Sequence, residues 1–249
     1  MIRRYLESFM SQNWEDLILL HWRYPVDDLR KLIPSELQLD LFDGQAWLSV
    51  VGFRLTNLKI NPIGMISWKD FDEVNLRTYV KDSFGNRGVW FFSLDSNDLM
   101  SVIGARGLYG LNYRFATIDN QRTEKSISYF SRTSRLQGSV EARISGTILS
   151  GKTTGEGSKK GTLNHFLLER YRFWSKRYWH GRLSSARVKH QPYDAIQLTD
   201  GSYQGGLFKS FGICEPNRGP SLGHYCKGFR VEAEAPVWAF GIAGHANQV

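Results

Sequence analysis

Short runs of alternating apolar and polar residues, punctuated by Gly and Asx turns, dominate the chain. "QLDLFDGQAWLSVVGFRL" places Asp43-Gly44 between two apolar runs, which predicts a hairpin through Leu41 and Trp47. "FDEVNLRTYVKDSFGNRGVWFFSLD" predicts two further strands about a turn at Gly85. The second of them, apolar through Val89 to Phe92, suits a strand buried on both faces. "SISYFSRTSR" and "GSVEARISGTIL" alternate well enough to continue a sheet.

Helical spacing is confined to three places. "PVDDLRKLIPSEL" and "SNDLMSVIGARGLY" each begin with helix-start chemistry. In "TLNHFLLERYRFWSKRYW" the residues Leu163, Phe166, Leu167, Arg170 or Tyr171, Trp174 and Tyr178 recur at steps of three and four, which predicts an amphipathic basic helix over 162–178. The stretch "KTTGEGSKKG" at 152–161 reads as an exposed loop inside one domain, because strand-like segments flank it. The resulting expectation is a single, mainly antiparallel β domain over 1–249 with few helices.

Composition narrows the classes. At 249 residues the chain can bury a sizeable core, and 14% aromatic with 22% charged residues argues against disorder. No apolar run approaches the ~18 residues of a membrane span, and the N-terminal residues lack the apolar core of a signal peptide. A cytoplasmic protein without membrane partners is expected. Cys214 and Cys226 are the only cysteines, and no His/Cys/Asp/Glu cluster has metal-ligand spacing, so neither a metal nor a cofactor is expected. Gly104, Gly107 and Gly110 lack dinucleotide-fingerprint spacing. Oligomeric state stays open.

The net charge of +8 raises the question of nucleic acid. Nine Lys or Arg against one acid, Glu169, fall within 159–190, a local excess equal to the whole net charge. Interleaved aromatic residues make a basic stacking surface one reading. A solvated helix face is the other and the preferred one, since the aromatic residues fall on the stripe such a helix would bury and no nucleic-acid motif accompanies the charge.

Period-two reading of "EVNLRTYV" supplies the first chemical clue. Glu73, Asn75, Arg77 and Tyr79 share one face of the strand, and Val74, Leu76, Thr78 and Val80 share the other. The polar face either meets solvent or, in a closed barrel, lines a cavity where Glu73 and Arg77 orient a small polar ligand.

"LLHWRYPVDDLRKLIPSELQLDLFDGQAWLSVVGFRL", "FDEVNLRTYV", "GVWFFSLDSNDLMSVIGARGLYGLNYRFA" and "GTLNHFLLERYRFW" together resemble the YqjF-like family of bacterial proteins, a domain of unknown function, in order along 19–190. That resemblance implies the acetoacetate decarboxylase-like superfamily, whose fold is a mainly antiparallel closed barrel with decorating helices. "FDEV" is similar to the superfamily's glutamate-bearing strand and sets Glu73 at the active-site glutamate. "ARG" and "GLNYR" are similar to its arginine and paired-lysine elements, setting Arg106 at the arginine, Tyr113 at the first lysine and Arg114 at the second. The first lysine forms the Schiff base in that superfamily, and a phenol cannot condense with a carbonyl. Decarboxylation through an imine is therefore not expected. Arg114 beside Tyr113 would favour the phenolate if both side chains share a desolvated cavity, which on a strand requires a turn or bulge.

The candidate site thus comprises Glu73 and Tyr113 as acid/base groups, with Arg77, Arg106 and Arg114 holding a small organic anion or carbonyl compound. His190 in "VKHQPYD" is the best histidine for acid/base work, while His21 reads as a satisfied core histidine. Three functions follow, in order: an enzyme on a small organic acid or carbonyl compound without a Schiff base, a non-catalytic binder with the same cavity, and a nucleic-acid binder through 159–190.

Overall fold

The computed structural model describes residues 8–61, 68–134, 139–148, 159–176 and 181–238. Its elements in chain order begin with β1 (Met10–Tyr24), α1 (Val26–Arg30), β2 (Gln38–Leu39), β3 (Ala46–Ile60), β4 (Phe71–Lys81) and β5 (Arg87–Ser96). There follow α2 (Leu99–Tyr109), β6 (Tyr113–Arg122), β7 (Ser126–Thr133), β8 (Val140–Thr147) and α3 (Leu163–Leu168). The last are β9 (Arg172–Lys176), β10 (Leu183–His190), β11 (Ala195–Gln197), β12 (Gly201–Gly205), β13 (Leu222–Ala233) and β14 (Val237–Trp238). The fold is mainly β, as the density of short alternating runs predicts.

Strand pairing runs β1–β3–β4–β5 and, on the other side of β1, β13–β10–β9, all antiparallel. A short parallel contact, Val89 with Phe173 and Trp90 with Trp174, joins β5 to β9, so the pairings return to their starting strand. The same edge of β5 turns to β6 further along, through parallel pairing of Leu94 with Tyr113 and Asp95 with Arg114. From there β6–β7–β8–β12 continues as an antiparallel extension.

Alternation explains why the long strands are buried on both faces. Ile18, Leu20, Leu48, Val50, Val74 and Leu76 pack against Ile118, Ile127, Tyr129 and Ile144 of the extension. Their neighbours Leu17, Leu19, Val51, Phe53, Leu55 and Phe71 pack with Val188, Phe229 and Val231 in a second core. Burying each such side chain contributes about 1.5–3 kcal/mol relative to exposing it. Gly52 marks where the layers approach most closely, since a Cβ there would lie 2.8 Å from side-chain atoms of Tyr129 and Ile144.

Two expectations need correction. The Asp43-Gly44 turn is present, with positive φ at both residues, but it closes only the Phe42–Gln45 bridge; the preceding β2 pairs with β4 instead of completing a hairpin with β3. The basic helix over 162–178 stops at Leu168 and gives way to β9. Arg170 shows why: its side-chain Nε donates to the carbonyl of Phe166 at 2.7 Å, the acceptor a continuing helix would give to its backbone N–H. The aromatic run beyond it then follows its strand preference. Arg177 and Tyr178, also assigned to that helix, lie outside the described residues, as does most of the 152–161 loop.

Much of the basic segment is committed internally. Arg170 pairs with buried Asp40 at 2.6 Å, Lys176 with Glu36 at 3.1 Å and Lys189 with Glu234 at 3.6 Å. Phe166 and Trp174 are buried. Among the described residues no helix is long and apolar enough to cross a membrane.

Candidate functional site

The polar face of β4 does not meet solvent. Val74 and Leu76 fill the first core, so Glu73, Asn75 and Arg77 point the other way, into the wall of a cavity of about 130 Å³ bordering the second core. All three are at least 94% buried. The rest of the lining is largely apolar and includes Trp14, Phe53, Leu55, Phe71 and residues of α2.

Tyr113 reaches the same cavity because α2 ends where it does. Asp98 caps the helix start by accepting from the Ser101 backbone N–H at 2.7 Å. Gly110, in the left-handed conformation, ends it while its N–H donates to the Arg106 carbonyl. The chain then enters β6 at Tyr113, whose hydroxyl donates to Glu73 Oε2 at 2.5 Å. Asn75 Nδ2 donates to Glu73 Oε1 at 2.8 Å.

Burial governs the titration of this pair. Desolvation raises the Glu73 carboxyl from 4.5 to about 7, although the bonds from Tyr113 and Asn75 oppose the rise. Burial and the adjacent Glu73 charge push the Tyr113 phenol well above its ordinary value. The phenol therefore stays protonated and donates, contrary to the phenolate that an arginine neighbour would favour. Of the two groups, it is the Glu73 carboxyl that burial brings near neutrality.

Arg114 does not enter the cavity. As the next residue on a regular strand it faces the opposite way, and it grips Asp95 through two bonds, Nε to Oδ1 at 2.6 Å and Nη2 to Oδ2 at 2.9 Å. Ser131 Oγ also donates to Asp95, at 3.2 Å. Arg106 likewise stays out: its Nε donates to the Tyr113 carbonyl at 2.6 Å and clips the start of β6 to the helix. His190 is stacked between Tyr171 and Phe229, with ring centroids at 4.5 and 4.8 Å, and its Nδ1 donates to the Gln191 carbonyl at 2.7 Å. It is not part of the cavity lining. Of the six expected site residues, Glu73, Arg77 and Tyr113 converge, whereas Arg106, Arg114 and His190 do not.

Arg77 differs from the other buried arginines in one respect. Its Nε and Nη2, the same two atoms with which Arg114 holds Asp95, have no hydrogen-bond partner among the described residues. Arg170, overlooked as a site residue because its spacing fits a helix stripe, also lines the cavity and has its Nη2 unpartnered. The lining contains no lysine among the described residues. Nor do any three His, Cys, Asp or Glu side chains among those residues converge as metal ligands would. His21 is a satisfied core histidine: fully buried, it bonds Ser49 Oγ at 2.7 Å and His224 Nδ1 at 3.1 Å.

Comparison with known proteins places this geometry in context. The acetoacetate decarboxylase of Legionella pneumophila superposes with a TM-score of 0.66 at 10% identity, over 92% of this chain and 87% of that one. An acetoacetate decarboxylase-like enzyme from Sphingomonas wittichii RW1 gives 0.63 at 13%, over 95% and 96%. The enduracididine biosynthesis enzyme MppR, in complex with pyruvate, gives 0.64 at 12%, over 92% and 90%. At such identities the likeness is one of fold. The uncharacterized protein YqjF of Bacillus subtilis (strain 168) is 34% identical over 222 residues, covering 88% of this chain and 87% of YqjF. Residues 11–230 match the family DUF2071, described as an uncharacterized conserved protein, and the chain belongs to that family.

Proposed function

We propose that this protein binds a small organic anion in the β4 cavity, inside a closed barrel formed by the cycle β1–β3–β4–β5–β9–β10–β13, and that Glu73 exchanges a proton with it without an imine. The observation that carries this reading is the Arg77 guanidinium: at 6% exposure it is buried beside a mostly apolar wall, and two of its N–H groups have no partner among the described residues. An unpaired buried charge is costly, and a carboxylate or a polarised carbonyl oxygen offsets that cost through a two-point contact. The volume is near that of engineered cavities of about 150 Å³ that admit benzene, which suits a ligand of few heavy atoms. MppR, of similar fold, is described with pyruvate bound, which agrees with a ligand of this size.

Glu73 supplies the chemistry. With its carboxyl at about 7 it takes or gives a proton at neutral pH, as a general acid/base requires. Tyr113 holds one carboxyl oxygen and Asn75 the other, fixing the group that moves the proton. A phenol at 113 and a lysine-free lining among the described residues leave no amine for Schiff-base formation.

Calorimetric titration with pyruvate and with 3-methylbutanoate tests the reading. At least one should bind, and Arg77→Met should weaken it about 100-fold or more. Borohydride with acetoacetate should leave every lysine unmodified. Failure of both anions to bind, or a trapped lysine adduct in the cavity, would overturn it.

A further inference from the structure

Resting on that reading, the polar atoms of the cavity-lining residues that have no hydrogen-bond partner among the described residues define its ligand further. Four are donors only: Arg77 Nε and Nη2, Arg170 Nη2 and Trp14 Nε1. One is an acceptor only, Asn75 Oδ1, because the amide nitrogen of Asn75 is already given to Glu73. Ser101 Oγ serves either way. A complementary ligand is therefore rich in acceptors and carries a donor beside them. A bare fatty acid or a keto acid in its keto form leaves Asn75 Oδ1 unmet, and an unmet buried acceptor costs about 1–3 kcal/mol.

Placement adds order. Asn75 and Arg77 are two residues apart on one face, roughly 7 Å along the strand. Both residues line the same cavity, so one small molecule can meet the longer arginine and the shorter amide together. Trp14, Phe53, Leu55 and Phe71 offer a largely apolar surface to the rest of it.

We infer that the cavity selects a short carboxylic acid with a hydroxyl on the carbon next to the carboxylate and an apolar body. The carboxylate lies on the Nε/Nη2 edge of Arg77, as the Asp95 carboxylate lies on that of Arg114. The hydroxyl donates to Asn75 Oδ1, and the branched carbon body packs against the aromatic wall.

Four matched probes test this by calorimetry at pH 7: 2-hydroxy-3-methylbutanoate, 3-methylbutanoate without the hydroxyl, 2-hydroxy-3-methylbutanamide without the charge, and lactate without the branched body. Relative to the first, the deoxy acid should bind about 10-fold more weakly, the amide about 100-fold, and lactate about 10-fold. Asn75→Leu should erase the difference between the hydroxy and deoxy acids while both still bind. If that variant fails to fold, the wild-type ratio alone decides. Equal binding of hydroxy and deoxy acids by the wild type refutes the hydroxyl contact and leaves the anion-binding reading standing. No binding by any of the carboxylates refutes both.

Discussion

Two buried arginines on the strands that flank β5 show how differently one fold uses one side chain. Arg114 faces away from the cavity and spends its Nε/Nη2 edge on Asp95, which also accepts from Ser131 Oγ. Arg77 lines the cavity, the same two atoms have no hydrogen-bond partner among the described residues, and burial raises the nearby Glu73 carboxyl to about 7. The first arrangement is closed and its worth is structural. The second leaves a buried guanidinium without such a pairing among the described residues.

The largest expected effect breaks the closed pair. Arg114→Met removes the charge paired with the buried Asp95 carboxylate and should cost about 3–5 kcal/mol, lowering the melting temperature by roughly 6–20 °C. Arg77→Met removes an unpaired charge and should leave the melting temperature unchanged or higher while abolishing anion binding. Equal destabilisation by the two substitutions, read by thermal denaturation, would erase the contrast.

The pH dependence of stability gives the next test. Glu73 binds its proton more tightly folded than unfolded, so its contribution is fully present below 4.5 and is lost as pH rises through about 7. The loss is on the order of 3 kcal/mol across that window. Glu73→Gln should flatten this part of the profile in urea unfolding measured from pH 4 to 8. A wild-type profile that rises through the window at Glu73's expense contradicts the assignment.

Smaller effects concern the groups around the pair. Tyr113→Phe removes the 2.5 Å bond and should cost about 1.5–3 kcal/mol, while moving the Glu73 titration further upward because that bond opposes the rise. A protein that only binds should keep most of its affinity in this variant, whereas proton transfer aligned by the hydroxyl should slow. Arg106→Ala releases the clip on the Tyr113 carbonyl and should cost about 1 kcal/mol, read as a lower urea midpoint.

The cavity face was legible because strand period is rigid: once "EVNLRTYV" is a strand, Glu73, Asn75 and Arg77 must share a side. Tyr113 was singled out through family resemblance, which set it at the position of the first lysine. The same period argues against Arg114, and the structure follows it. Gly110 is used to end α2 and supplies no bulge that would turn residues 113 and 114 to one side. Asp95 gave no signal, since its role exists only once β5 and β6 lie parallel with 95 beside 114. The basic segment misled because apolar residues at three- and four-residue steps satisfy a helix template while aromatic ones also suit a strand. A side-chain bond from Arg170, invisible in a periodicity, decides between them.

Nitrogen NMR of the arginine Nε–H groups tests the central contrast most directly. Added 2-hydroxy-3-methylbutanoate or 3-methylbutanoate should shift the Arg77 Nε–H resonance and slow its exchange, while the Arg114 resonance, already bonded to Asp95, stays where it is. An Arg77 signal unmoved by either anion, or an Arg114 signal that moves in its place, would contradict the account.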